Sequence, residues 1–166
     1  MKRIAIVGSG GAGKSTFSRE LSRLTGLPLV HLDQHFWQPG WIETPLAKWR
    51  ALQAELLAGD EWIADGNYNS TFDIRFGRAD TVIVISLSRY RCLFRAFKRT
   101  WGNRGKCIQA VGCPERFEAS FYKWIWNFPN EGQRSLDPAL QEHRENLDVI
   151  VLRSPRQVRE FLNSLS

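Results

Sequence analysis

The stretch Gly8 to Ser15, reading GSGGAGKS, constrains this chain more than any other part of it. It matches G-x-x-x-x-G-K-[ST], a phosphate-binding loop that works only between a strand and a helix. Ile4-Ala5-Ile6-Val7 supplies the strand, and Phe17, Leu21 and Leu24 recur at helical spacing just beyond the loop. Glycines let successive backbone N–H groups converge on a phosphate chain without a Cβ in the way. The helix N-terminus adds partial positive charge at the same point. Gly8, Ser9, Gly10, Gly11, Ala12, Gly13, Lys14, Ser15 and Thr16 are therefore expected to hold a nucleoside triphosphate, ATP, with Lys14 reaching the β- and γ-phosphates and the Ser15 hydroxyl on Mg2+.

The 166 residues suffice for one α/β domain with a substantial core, and residues 1–166 are read as a single unit. No apolar run approaches a transmembrane span, and the N-terminal run is too short for a signal peptide and leads straight into the loop. Three cysteines, Cys92, Cys107 and Cys113, are too few for a disulfide framework and fit a reducing cytoplasm. The net charge of +6 is local. Seven of the 23 Lys and Arg residues fall between 89 and 106, where there is no Asp or Glu. The rest of the chain is near neutral, so the charge reports one basic segment and not a general affinity for nucleic acid.

Apolar runs alternate with helical patterns along the chain. Strands are expected at 4–7, 27–32, 61–65, 81–87 and 147–152. Gln34 to Glu43 reads as a loop, followed by a helix with Thr44 as N-cap and Pro45 at N1, buried through Trp49, Leu52 and Leu56 and stopped at Gly59. Helices are also expected over 70–76, 89–101, 115–128 and 132–144, the last two parted by Pro129, and after the capping box Ser154-Pro155-Arg156-Gln157. Such alternation implies an α/β fold: a parallel sheet with helices on both faces and ligands at the carboxyl ends of the strands. The loop Gly8–Ser15, Asp33 and Asp65-Gly66-Asn67 then share one rim.

On that rim, Asp65 ends the apolar run Trp62-Ile63-Ala64, where it either helps hold the metal with Ser15 or caps a turn with Gly66. Asp33 follows Leu29 to Leu32; it serves as a general base toward a hydroxyl acceptor, holds acceptor groups, or caps its loop. Arg91, Arg95, Lys98 and Arg99 recur on one helical face, roughly opposite Leu93, Phe94, Phe97 and Trp101. Arg91, Arg95 and Arg99 are the cations expected to offset charge on a transferring phosphoryl group, with 100–114 as a glycine-bearing lid. A solvated basic face is the plain alternative. On the acceptor side, about 34–60, Trp37 is expected against the small-molecule acceptor, together with Asn67 and Arg75. Phe36, Trp41 and Tyr68 either stack there or pack the irregular segment.

The ordered set of the phosphate loop, His31-Leu32-Asp33, Trp37-Gln38-Pro39-Gly40-Trp41, Trp62 to Tyr68, Arg78-Ala79-Asp80, the basic helix and Cys113-Pro114-Glu115-Arg116-Phe117 resembles the adenylate-kinase-related P-loop proteins labelled DNA topology modulation proteins. The resemblance covers almost the whole chain. It implies a three-layer P-loop NTPase fold of the nucleoside monophosphate kinase type with a mobile lid, and a role for Asp65 in holding Mg2+ through water. Where adenylate kinases continue Asp-Gly with Phe-Pro-Arg, this chain has Asn67-Tyr68, so the usual acceptor-binding arginine is absent and Arg75 is its candidate substitute. The expected activity is transfer of the ATP γ-phosphate to a nucleotide or other small acceptor. The alternative is a nucleotide-switched regulator or weak ATPase that influences DNA topology through the basic segment, although no recognised DNA-reading module is present.

Overall fold

The computed structural model describes residues 1–165. Five strands form one parallel sheet: β1 (Arg3–Gly8), β2 (Leu29–His31), β5 (Trp62–Asp65), β6 (Thr81–Ile85) and β7 (Asp148–Leu152), in the order β2-β5-β1-β6-β7. A two-stranded antiparallel hairpin, β3 (Trp37–Gln38) and β4 (Ile42–Glu43), stands apart. The helices are α1 (Lys14–Thr25), α2 (Leu32–Phe36), α3 (Leu46–Leu56), α4 (Phe72–Phe76), α5 (Arg89–Gly102), α6 (Ala119–Glu142) and α7 (Pro155–Asn163). Among the described residues no helix is long and apolar enough to cross a membrane.

Strand alternation divides the core into two layers. Ile4, Ile6, Ile63, Ile83 and Ile85 face one way, against Phe17 and Leu21 of α1, Cys92 and Ala96 of α5, and Val158, Phe161 and Leu162 of α7. Ala5, Val7, Trp62, Ala64, Val82 and Val84 face the other way, against Leu57, Phe72, Phe76 and Leu136. Helices on both faces of an all-parallel sheet make the three-layer α/β arrangement expected from the alternation.

Several local expectations are revised. Gln34–Glu43 is not a plain loop: its start completes α2 and the rest forms the β3–β4 hairpin. Thr44 does not cap α3; its hydroxyl donates to the Phe36 carbonyl, and Pro45 occupies the N-cap position. Pro129 does not divide two helices, since α6 runs unbroken through Pro129 and Pro138. Proline removes one intrahelical hydrogen bond, but packing on either side keeps the helix intact, with Ile125 in the first core layer and Leu136 in the second. On α5 the residues turned inward are Cys92, Ala96 and Thr100, whereas Phe94 and Trp101 are exposed. The phosphate loop explains which face turns inward. A Cβ on Gly11 (φ +72°) would strike the Cys92 carbonyl oxygen, so α5 lies directly on the loop and only small side chains fit between them. At α7 the Ser154 hydroxyl accepts from the Gln157 N–H at 3.2 Å, and the Gln157 side chain accepts from the Arg153 N–H at 2.6 Å.

Candidate active site

A cavity of about 1920 Å³ opens along the carboxyl rim of the sheet. Its floor is the phosphate loop. Gly8 leaves β1 at φ +148°, with its α-carbon against the Ile85 carbonyl, a position closed to any side chain. Gly13 (φ +96°) caps α1, and the helix N-terminus faces the cavity. The Lys14 ammonium donates to the carbonyls of Gly8 (2.9 Å) and Ser9 (3.0 Å), so it lies along the loop. Burial lowers its pKa, against the opposing pull of Asp33 and Asp65.

Asp65, only 4 % exposed, stands at the end of β5. Its Oδ1 accepts from His31 Nδ1 at 2.7 Å and its Oδ2 from the Ser18 hydroxyl at 3.1 Å. Burial alone would raise its pKa. Hydrogen bonding and charge from His31, then the Ser15 hydroxyl and Lys14, outweigh burial and hold the carboxyl below its usual range. An ionised carboxylate beside a serine hydroxyl suits a hard divalent cation whose remaining ligands are phosphate oxygens and water. Among the described residues no group of three or more His, Cys, Asp or Glu side chains forms a metal site of its own.

Asp33 is the second residue of α2 and also lines the cavity. The Tyr68 hydroxyl donates to its Oδ1 at 2.5 Å. Burial and then Asp33 push the Tyr68 pKa far up, so the phenol stays a donor. The Asn67 side-chain oxygen accepts from the Gly8 N–H at 3.0 Å, tying the loop after β5 to the entrance of the phosphate loop. Trp37 lines the cavity edge-on to Phe36 and Trp41, with ring centroids 4.9 and 5.4 Å apart.

The expected arginines separate. Arg95 and Arg99 line the cavity, and Arg95 reaches toward the Ala12 carbonyl at 3.4 Å. Arg91 is exposed on α5 and is not among the cavity-lining residues. Arg75 requires a correction. It is fully buried behind the wall, where its guanidinium donates to the carbonyls of Gly66, Asn67 (2.6 Å) and Tyr68 (3.0 Å) and lies over the Phe72 ring. Burial lowers its pKa to about 9. With both terminal nitrogens engaged on main chain and Nε buried without a partner, Arg75 shapes the loop and is not presented to an acceptor.

The connection 103–118 between α5 and α6 docks on the β3–β4 hairpin. The Gly40 N–H donates to the Gly112 carbonyl (2.8 Å), the Cys113 thiol to the Gln38 carbonyl (3.1 Å), and the Trp41 indole to the Pro114 carbonyl (2.9 Å). The segment expected as a lid is thus in contact with the acceptor-side segment.

Three residues of the site were not singled out from the sequence. His31 faces Asp65 as its register partner across β2 and β5, a pairing that needs strand order to be seen. Ser18 follows Ser15 by one helical turn, a signal that was available. Glu115 is a buried carboxylate at the base of the lid segment.

No protein-family model matches the chain, and no match is found among curated proteins. Solved structures do match, and with the sheet order they define the class of fold as a three-layer α/β P-loop kinase fold. A deoxyadenosine kinase from M. mycoides with dCMP and dCDP bound superimposes with a TM-score of 0.55 at 15% identity, over 98% of this chain and 97% of that one. The same enzyme with bound dATP gives 0.53 at 15% identity, over 99% of both chains.

Proposed function

We propose that this protein is an ATP-dependent phosphotransferase whose acceptor is an uncharged, hydroxyl-bearing small molecule with a flat ring, the nucleoside class. The observation that carries this reading is the division of charge in the cavity. Lys14, Arg95 and Arg99 line the phosphate-loop end, whereas the lining residues between 31 and 72 include no Lys or Arg. That half offers Asp33, Tyr68 and the aromatic rings of Phe36 and Trp37. An anionic acceptor would meet a carboxylate there with no Lys or Arg of that stretch to compensate it, while a hydroxyl would meet a base. The fold shared with deoxyadenosine kinase supports the same class.

In this reading Lys14, Arg95 and Arg99 bind the β- and γ-phosphates and offset the charge that develops during transfer. Ser15, with Asp65 acting through water, would hold Mg2+, which supplies further charge neutralisation on the phosphates when bound. Asp33, oriented by the Tyr68 hydroxyl, takes the proton of the acceptor hydroxyl. The acceptor oxygen bonds to the γ-phosphorus as the β–γ bridge breaks, and ADP leaves. Trp37 and Phe36 flank the acceptor ring, and Asn67 holds the floor in place.

Screening nucleosides, nucleoside monophosphates, sugars and small acids with labelled ATP tests this directly. Phosphorylation of a nucleoside is expected; phosphorylation of monophosphates alone would overturn the acceptor class. Asp33→Asn is expected to lower kcat by about 10²–10⁴-fold, the range of a general base, with triphosphate affinity unchanged in a calorimetric titration.

A second reading, a nucleotide-switched regulator acting on DNA, draws on the outer face of α5, where Arg91 and Lys98 stand beside exposed Phe94 and Trp101. It predicts DNA retention that falls steeply with salt and no acceptor-dependent turnover.

A further inference from the structure

We propose that Glu115 is a positioning residue for Arg99, holding that guanidinium at the phosphate end of the cavity while it fixes the base of the 103–118 connection to the end of α5. The inference rests on the phosphotransferase reading only for the anion that Arg99 meets.

Glu115 is 3 % exposed, an unusual place for a carboxylate without a role. Main chain fixes it on both sides: its N–H donates to the Lys106 carbonyl (2.9 Å), and its carbonyl accepts from the Gly105 N–H (3.0 Å). Its side chain collects three groups from different parts of the chain. Oε2 accepts from the Thr100 hydroxyl of α5 at 3.2 Å, Oε1 accepts from the Gln109 amide at 2.6 Å, and Arg99 Nε lies 3.4 Å from Oε1. Arg99, Thr100, Gln109 and Glu115 all line the same cavity.

The way Glu115 meets Arg99 decides what the pair can do. Contact is an ion pair through Nε, on the stem side of the guanidinium, at 3.4 Å and without hydrogen-bond geometry. Among the described residues no side-chain hydrogen bond engages the two terminal nitrogens, and the group is steadied against the Phe121 ring at 5.6 Å. The terminal nitrogens are the pair that grips a phosphate bidentately. Glu115 therefore anchors Arg99 without competing for the atoms that would bind phosphate, and it neutralises that charge near the buried end of the lid segment. Arg95, one turn earlier, has no such carboxylate and reaches to the loop carbonyl of Ala12 instead. This difference assigns Arg99 to the terminal phosphate, where orientation matters most.

The test uses the full chain and compares the affinities of a non-hydrolysable ATP analogue and ADP by calorimetry. Arg99→Ala is expected to lower the preference for the triphosphate about tenfold, as expected for loss of a charge-assisted contact. Glu115→Gln, which keeps shape and can still accept from Thr100 or Gln109, is expected to lower it at least about fivefold, with ADP affinity nearly unchanged. The double variant should match Arg99→Ala alone within about twofold, because coupled residues are not additive. An unchanged preference, an equal loss for both nucleotides, or an additive double variant would reduce Glu115 to scaffold and overturn the proposal. A rise in the preference would show Glu115 competing with phosphate and would also overturn it. If Glu115→Gln does not fold, Glu115→Asp, with the charge kept but withdrawn by one methylene, takes its place in the same cycle with the same expected direction. A protein that phosphorylates no acceptor yet shows this binding pattern would remove the phosphotransferase reading and leave the Glu115–Arg99 assignment standing.

Discussion

Lys14→Ala removes triphosphate turnover by at least about 10²–10³-fold, the cost of losing one preorganised electrostatic donor at a transition state, while the melting temperature hardly moves. The two halves of this expectation have separate physical causes. The Lys14 ammonium is half-buried at the cavity wall and held only by two loop carbonyls, Gly8 and Ser9, neither of which carries the packing of the core. The loop itself is shaped without it, by the glycine conformations at Gly8, Gly11 and Gly13, by the Asn67 bond to the Gly8 N–H, and by α5 lying against Gly11. Among the described residues no other ammonium lines the cavity, and Arg95 and Arg99 are carried by α5, with Arg95 directed to the Ala12 carbonyl, so neither takes the place of Lys14. Turnover is read by ADP release and folding by thermal melting; normal turnover in a folded Lys14→Ala protein would remove the basis for assigning phosphate chemistry to this loop.

The legible parts of the site are those that chemistry writes into contiguous residues. Gly8 to Ser15 carries its conformation in its own glycines, so spacing alone placed the loop between β1 and α1. Asp65 was legible as a strand-end carboxylate, whereas Asp33, expected just past a strand over 27–32, falls on α2 two residues beyond the end of β2; the alternation of strands and helices still placed both on one rim. The environments of those carboxylates were not legible. His31 meets Asp65 and Tyr68 meets Asp33 across 34 and 35 residues of chain, contacts created by strand order. Arg75 was expected at the acceptor as the candidate substitute for the arginine missing after Asp65-Gly66, and nothing in the sequence marked it as buried. Its burial follows from the tight turn after β5, whose carbonyls converge on one point and require a fork of donors. The inward face of α5 was not legible either: the helix lies so close to Gly11 that Cys92, Ala96 and Thr100 turn inward, while Phe94 and Trp101 stay exposed.

Arg75 gives the largest expected change in stability. Arg75→Met keeps much of the buried volume against Phe72 and Phe76 but leaves the carbonyls of Gly66 and Asn67 without their donors, while the Tyr68 carbonyl keeps the Thr71 N–H and hydroxyl. Unsatisfied buried acceptors cost about 1–3 kcal/mol each, and water entering from the cavity side recovers part of this. A net loss of about 3–5 kcal/mol corresponds to a fall in melting temperature of roughly 10 °C for a chain of this length. Arg75→Lys supplies one rotatable ammonium in place of a planar fork and should recover only part of the loss. Function should fall with stability here, and for a reason that can be separated from unfolding. The same three-residue turn carries Asn67 to the Gly8 N–H and Tyr68 to Asp33, so loosening it disturbs the phosphate floor and the acceptor base together. At temperatures well below its melting point, the folded Arg75→Met protein should therefore show both a weaker triphosphate affinity and a lower kcat. A variant with the same thermal loss introduced far from the site, such as Leu147→Ala at the start of the last strand, should show neither. If Arg75→Met weakened acceptor binding alone, with melting temperature and triphosphate affinity intact, Arg75 would be an acceptor ligand after all, and the role of its guanidinium as the support of the Gly66–Tyr68 turn would have to be given up.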